Sequence, residues 1–156
     1  MLQRLVLLLC SCLALGLPAD AARSSARPCA RGAMNGAWNL PHPLASDGFI
    51  DGRLFDANGN SVFALRATLT DVVSPCLSCI EGTIQGTLDD GVGTTPDYLV
   101  YGNYRGNFLA RQGSFTALLY PYGSRTPTGK LNGAFRDPYS NPDVPGQFRG
   151  DWVVCR

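Results

Sequence analysis

Glycine and a bulky apolar residue alternate in six copies of one seven-residue phrase: Gly32-Met34-Gly36-Trp38, Gly48-Ile50-Gly52-Leu54, Gly82-Ile84-Gly86-Leu88, Gly102-Tyr104-Gly106-Phe108, Gly129-Leu131-Gly133-Phe135 and Gly146-Phe148-Gly150-Trp152. Successive side chains of a β-strand point to opposite faces, so a repeat of two puts all four marked residues of each copy on one face. A helix would scatter them around its axis. The pattern speaks to architecture, and no catalytic or cofactor motif accompanies it.

Two further alternating runs without glycine, 62–70 and 114–120, raise the number of candidate strands to eight. No stretch carries a helical period. The intervals collect turn formers, among them Asn58-Gly59, Asp89-Asp90-Gly91, Thr95-Pro96 and Pro121-Tyr122-Gly123, and every proline after Cys29 falls outside the eight runs. A proline cannot donate to a strand ladder, so this distribution agrees with the strand assignment. Short, evenly spaced strands of this kind predict an all-β domain: an eight-stranded antiparallel β-barrel of meander topology or, as second choice, a β-sandwich.

One hairpin can be read residue by residue. Asn58-Gly59 suits a two-residue type I′ turn, whose central positions both need positive φ. Counting back from it, Leu54 faces Phe63, Gly52 faces Leu65 and Ile50 faces Ala67, while Phe55 faces Val62 and Asp51 faces Arg66 on the other side. Apolar meets apolar and opposite charges meet. In the other copies the face opposite glycine is polar, with Thr83, Gln85 and Thr87, or Asn103, Arg105 and Asn107. The glycine face is therefore the core face. Each glycine weakens a strand by about 0.5 to 1 kcal/mol, so a small, strongly coiled barrel must return that cost by letting large side chains lie across the bare backbone.

Gly36-Ala37-Trp38 on the first strand and Trp152 on the last resemble the calycin barrels, the lipocalin and avidin group, whose first strand carries G-x-W. The resemblance implies an eight-stranded barrel with an arginine packed over Trp38, for which Arg149 and Arg156 are the candidates. The later loop motif and C-terminal helix of lipocalins do not appear in this sequence.

The chain starts with Arg4, an apolar run over 5–17 and an A-x-A pattern ending at Ala21. This reads as a signal peptide over 1–21, followed by an N-terminal segment over 22–31 with Cys29 and a single all-β domain over 32–156. The expected location is secreted, periplasmic or at the cell surface. Leu9-Cys10-Ser11-Cys12 leaves a lipoprotein box open. The apolar run is shorter than the roughly twenty residues of a membrane span. After residue 21, 12 basic and 11 acidic residues remain without a run of like charge, which points away from nucleic acid.

Cys29, Cys76, Cys79 and Cys155 form an even set in a chain expected to be exported, which predicts disulfides. Of three connectivities, Cys29 to Cys155 and Cys76 to Cys79 is favoured, since the first joins the chain's ends. A redox role for Cys76-x-x-Cys79 lacks a helix start. A zinc site combining Cys76 and Cys79 with Cys29, Cys155 or His42 lacks a second paired motif. Asp56, Asn58 and Asn60 open like a calcium loop, but no glycine follows. His42 is the lone histidine, Asp89-Asp90 reads as turn chemistry and Glu81 stands alone, so no enzyme is expected. No catalytic, cofactor-binding or metal residues are assigned.

The sequence therefore predicts a non-enzymatic structural or surface-interaction module. The alternative is a carrier-type barrel for a small ligand, lined near Trp38, Tyr98, Tyr104 and Phe108. A small apolar ligand and an extracellular macromolecule are the two partner classes left open. Tyr120, Tyr122 and Tyr139 with Arg125 would rim a binding mouth only if the loops over 121–128 and 137–145 shared one end, and a meander places them at opposite ends.

Overall fold

The structure, a computed structural model, describes residues 28–39, 47–72, 78–107, 109–136 and 145–155. All eight expected strands are present: β1 (Ala30–Asn39), β2 (Asp47–Phe55), β3 (Ser61–Asp71), β4 (Cys79–Asp89), β5 (Tyr98–Asn107), β6 (Gln112–Pro121), β7 (Gly129–Arg136) and β8 (Gly146–Val154). Each pairs antiparallel with its neighbours in sequence, and β1 pairs with β8 from Ala30↔Val154 to Trp38↔Gly146, so the sheet closes into a barrel. Closure decides against the sandwich. Pro121 ends β6 rather than lying beyond it, at a terminal position where its missing N–H is tolerated.

The barrel has two ends. At one lie the β2–β3, β4–β5 and β6–β7 turns and the Cys29–Cys155 bridge, which spans 126 residues of sequence and ties the start of β1 to the end of β8. At the other, here the Trp38 end, lie the connections between β1 and β2, β3 and β4, β5 and β6, and β7 and β8. The expected signal peptide over 1–21 lies outside the described residues.

The glycine face is the interior. Met34, Trp38, Ile50, Leu54, Leu65, Leu69, Leu88, Leu119, Leu131 and Phe148 are all almost completely buried. The inward glycines are sites where no side chain fits. A Cβ on Gly52 would lie 2.5 Å from Phe148, one on Gly133 2.5 Å from Phe115, one on Gly82 2.5 Å from Tyr104 and one on Gly113 2.4 Å from Phe135. Eight strands enclose an interior just wide enough for side chains to fill, and aromatic rings laid over bare backbone fill this one. This agrees with the expected packing of large residues over glycine and counts against the alternative in which Trp38, Tyr98, Tyr104 and Phe108 line an internal cavity: the first three are packed into the core, and Phe108 lies outside the described residues.

The β2–β3 hairpin keeps the expected pairs Leu54↔Phe63, Gly52↔Leu65, Ile50↔Ala67 and Asp51↔Arg66 but reaches them differently. Only Gly59 has positive φ, at 84°. The Gly59 N–H bonds to the Asp56 carbonyl, and the Asp56 carboxylate accepts the backbone N–H groups of Asn58 and Asn60. These bonds favour a type I turn over 57–58 with glycine in the left-handed position, a three-residue loop. Phe55 consequently pairs with Ser61, not Val62, and a bulge beside Leu54 restores the inner register.

Candidate functional site

Two aromatic groups occupy the barrel, one toward each end. At the disulfide end Phe63 packs edge-on against Tyr98 and Trp152, and the Trp152 indole N–H donates to the Phe55 carbonyl at 2.9 Å. At the other end Trp38 stacks on Phe135 with ring centroids 4.2 Å apart and planes 2° from parallel, and it also meets Tyr104 and Phe115. Trp38 is fully buried, yet its indole N–H has no hydrogen-bond partner among the described residues. An unpaired buried donor of this kind costs about 1 to 3 kcal/mol.

Tyr104, edge-on against the Trp38 ring, carries a second polar group. The Tyr104 ring lies across Gly82 and its hydroxyl donates to the carboxylate of Asp71, the last residue of β3. Tyr104 is only 2 % exposed, whereas Asp71 is exposed at the rim. A buried phenol and an exposed carboxylate thus meet at the Trp38 end, beside the Trp38 ring. The phenol holds one oxygen of a carboxylate that is itself exposed. The alternation that marks a core strand hides this arrangement, because Asp71 stands one repeat beyond Leu69 and reads as a strand end.

Burial, followed by the hydrogen bond and negative charge of Asp71, pushes the Tyr104 phenol well above the ordinary tyrosine range. In the unfolded chain it titrates near about 10. Below that pH both states hold the proton and the contribution to stability is whole. Above it the unfolded chain loses its proton first, and stability falls as pH rises. Tyr104→Phe is therefore expected to flatten the alkaline limb of the stability curve by up to about 1.4 kcal/mol per pH unit above about pH 10. Urea denaturation of both proteins across that range measures it, and equal slopes would show that Tyr104 titrates normally.

The remaining sequence candidates are dispersed. Cys29 is bonded to Cys155, and Cys79 is disulfide-bonded too, so the zinc half-site is not assembled from them. Cys76, its expected partner, and His42 lie outside the described residues. Asp56 is occupied with its own turn, and hydrogen bonds led by that from the Asn60 backbone hold its carboxyl below the usual range. Asp89 and Asp90 cap the backbone of Gly91 and Val92, as turn chemistry requires, and Asp97, not singled out by the sequence, joins them by accepting the Asp90 N–H. Tyr120 and Tyr122 sit at the disulfide end, opposite the connection over 137–145, and Tyr139 lies outside the described residues. Arg149 is exposed on the outer face of β8, so Phe135 and not this arginine covers Trp38; Arg156 lies outside the described residues.

The fold is a closed eight-stranded antiparallel β-barrel, with the Tyr104–Asp71 hydrogen bond at its Trp38 end. Among solved structures the chain is similar to a nonspecific heme-binding cyclase that catalyses [4 + 2] cycloaddition in neoabyssomicin biosynthesis, at 16% identity and a TM-score of 0.48 over 87% of this chain and 70% of that one. It is also similar to the Diels Alderase AbmU from Streptomyces koyangensis, at 15% identity and a TM-score of 0.46 over 84% of this chain and 70% of that one. No protein-family profile matches the chain, and no curated protein matches it in sequence. Both of these structures are of enzymes, which runs against the expectations of a non-enzymatic structural module and of no enzyme. At such low identity the likeness is one of fold and assigns no chemistry to this chain.

Proposed function

We propose that the protein binds a small organic molecule at the Trp38 end of the barrel, over the aromatic floor and against the Asp71 carboxylate. The observation that carries this reading is the hydrogen bond from the buried Tyr104 phenol to the exposed Asp71. A phenol that stays protonated orients the carboxylate, which then accepts an N–H or O–H of the ligand and can take up its proton. Barrels of this strand number take small ligands at their mouths, and the resemblance to the lipocalin and avidin group supports that placement. The filled interior puts the ligand on top of the rings, not among them. The segment over 1–21 supports export of the protein.

Dansylcadaverine, an apolar fluorophore with an ammonium tail, tests the site. Saturable one-to-one binding is expected, weakened about tenfold or more in Asp71→Asn, because a charge-assisted hydrogen bond contributes about 1.5 to 3 kcal/mol. Asp71 is exposed, so the variant folds. Binding that does not saturate, or that survives Asp71→Asn unchanged, overturns the reading.

A further inference from the structure

The outer face of β4–β7 carries chemistry that the mouth does not use. Thr83, Asn103, Thr116 and Asn132 stand in register across the four strands. One row nearer the Trp38 end, Glu81, Arg105 and Ser114 are likewise in register. Between these rows lies an open cleft of about 580 Å³, lined beneath by Gly82, Tyr104, Phe115 and Gly133, whose side-chain positions face the interior. Its walls carry the Asn103 and Asn132 amides and the Ser114 and Thr116 hydroxyls beside Glu81 and Arg105, and the Thr116 hydroxyl donates to the Asn132 side-chain oxygen, which leaves that amide's N–H groups for another acceptor.

Beside the cleft, on the disulfide side, runs an apolar strip. Tyr101 and Leu118 oppose each other across β5 and β6 and are 43% and 41% exposed. Tyr120 steadies Tyr101 edge-on at 5.7 Å. Rows on a strand are two residues, or about 6.6 Å, apart. A ligand lying across the face therefore meets a flat apolar surface and a comb of amides within one ring width.

The ligand class follows from charge and topology. The outer faces of β4 to β7 carry Glu81 and Asp89 against Arg105, Lys130 and Arg136, a near balance of charge that suits a neutral molecule. Nucleic acid needs a surplus of cations. A peptide added as an extra strand needs a free sheet edge, and the closed barrel has none. A molecule with apolar ring faces and an equatorial fringe of hydroxyls satisfies both surfaces.

We propose that the β4–β7 face is a binding site for a neutral oligosaccharide, with Tyr101 as its stacking platform and Asn103 and Asn132 as its hydrogen-bonding groups. The test is calorimetric titration of the purified protein with cellohexaose and with N-acetylated chitohexaose, using heparin as the charged comparison. At least one neutral chain is expected to bind, about tenfold more weakly in Tyr101→Ala and in Asn103→Ala and unchanged in Tyr122→Ala at the far loop. Both substituted side chains are exposed, and equal urea midpoints verify that the variants fold. Failure of both neutral chains to bind, binding that survives Tyr101→Ala and Asn103→Ala, or binding of heparin alone overturns the proposal.

Discussion

Replacing Gly36 with alanine is expected to destabilise the barrel by more than about 3 kcal/mol, at the upper limit of what overpacking costs. The new Cβ would lie 2.3 Å from the Asp51 carbonyl oxygen, 2.4 Å from the Gly52 Cα and 2.7 Å from the Phe148 ring. Two of these three atoms are backbone of β2, so relief requires moving a strand and not merely turning a side chain. Gly36 and Gly52 face each other across β1 and β2, where the curvature of a narrow barrel brings the inner surfaces together. Gly59→Ala provides the comparison. Its φ of 84° makes alanine unfavourable by about 1 kcal/mol, but no atom lies within 4 Å of the added methyl. Urea denaturation of the two variants measures the difference, and equal midpoints would mean that the strands yield easily.

The second large effect is expected at the Cys29–Cys155 bridge. In the chain-entropy account, closing a loop of 126 residues restricts the unfolded ensemble by about 5 kcal/mol. The bridge also guards the seam where β1 meets β8, the pairing that turns an open sheet into a barrel. Cys29→Ser with Cys155→Ser should lower the urea midpoint strongly, and amide exchange should quicken first along Arg31 to Asn35 and Arg149 to Val153, the partners across that seam. A midpoint unchanged by the double substitution would show that β1–β8 pairing closes the barrel unaided.

The site was far less legible than the strands. Trp38, Tyr104, Phe115 and Phe135 announce themselves as core residues because they fall on the glycine face. Nothing local distinguishes Tyr104, which reaches across Gly82 to Asp71, from Tyr98, which packs on Phe63. Their difference arises from the neighbours on β3 and β4. The orphaned indole of Trp38 and the satisfied indole of Trp152 are likewise indistinguishable until the barrel places a carbonyl beside one of them.

What the sequence by itself determined is whatever a strand settles within its own length: eight strands, which face is core, the polar outer rows and the inner register of β2 with β3. A period of two is local, and a one-residue slip would have exposed every large side chain. Closure of β8 onto β1 and the meeting of Asp71 with Tyr104 were decided only in the tertiary structure. Each depends on groups brought together from distant parts of the chain, 33 residues apart for that last pair. Their energies exist only once the barrel has closed.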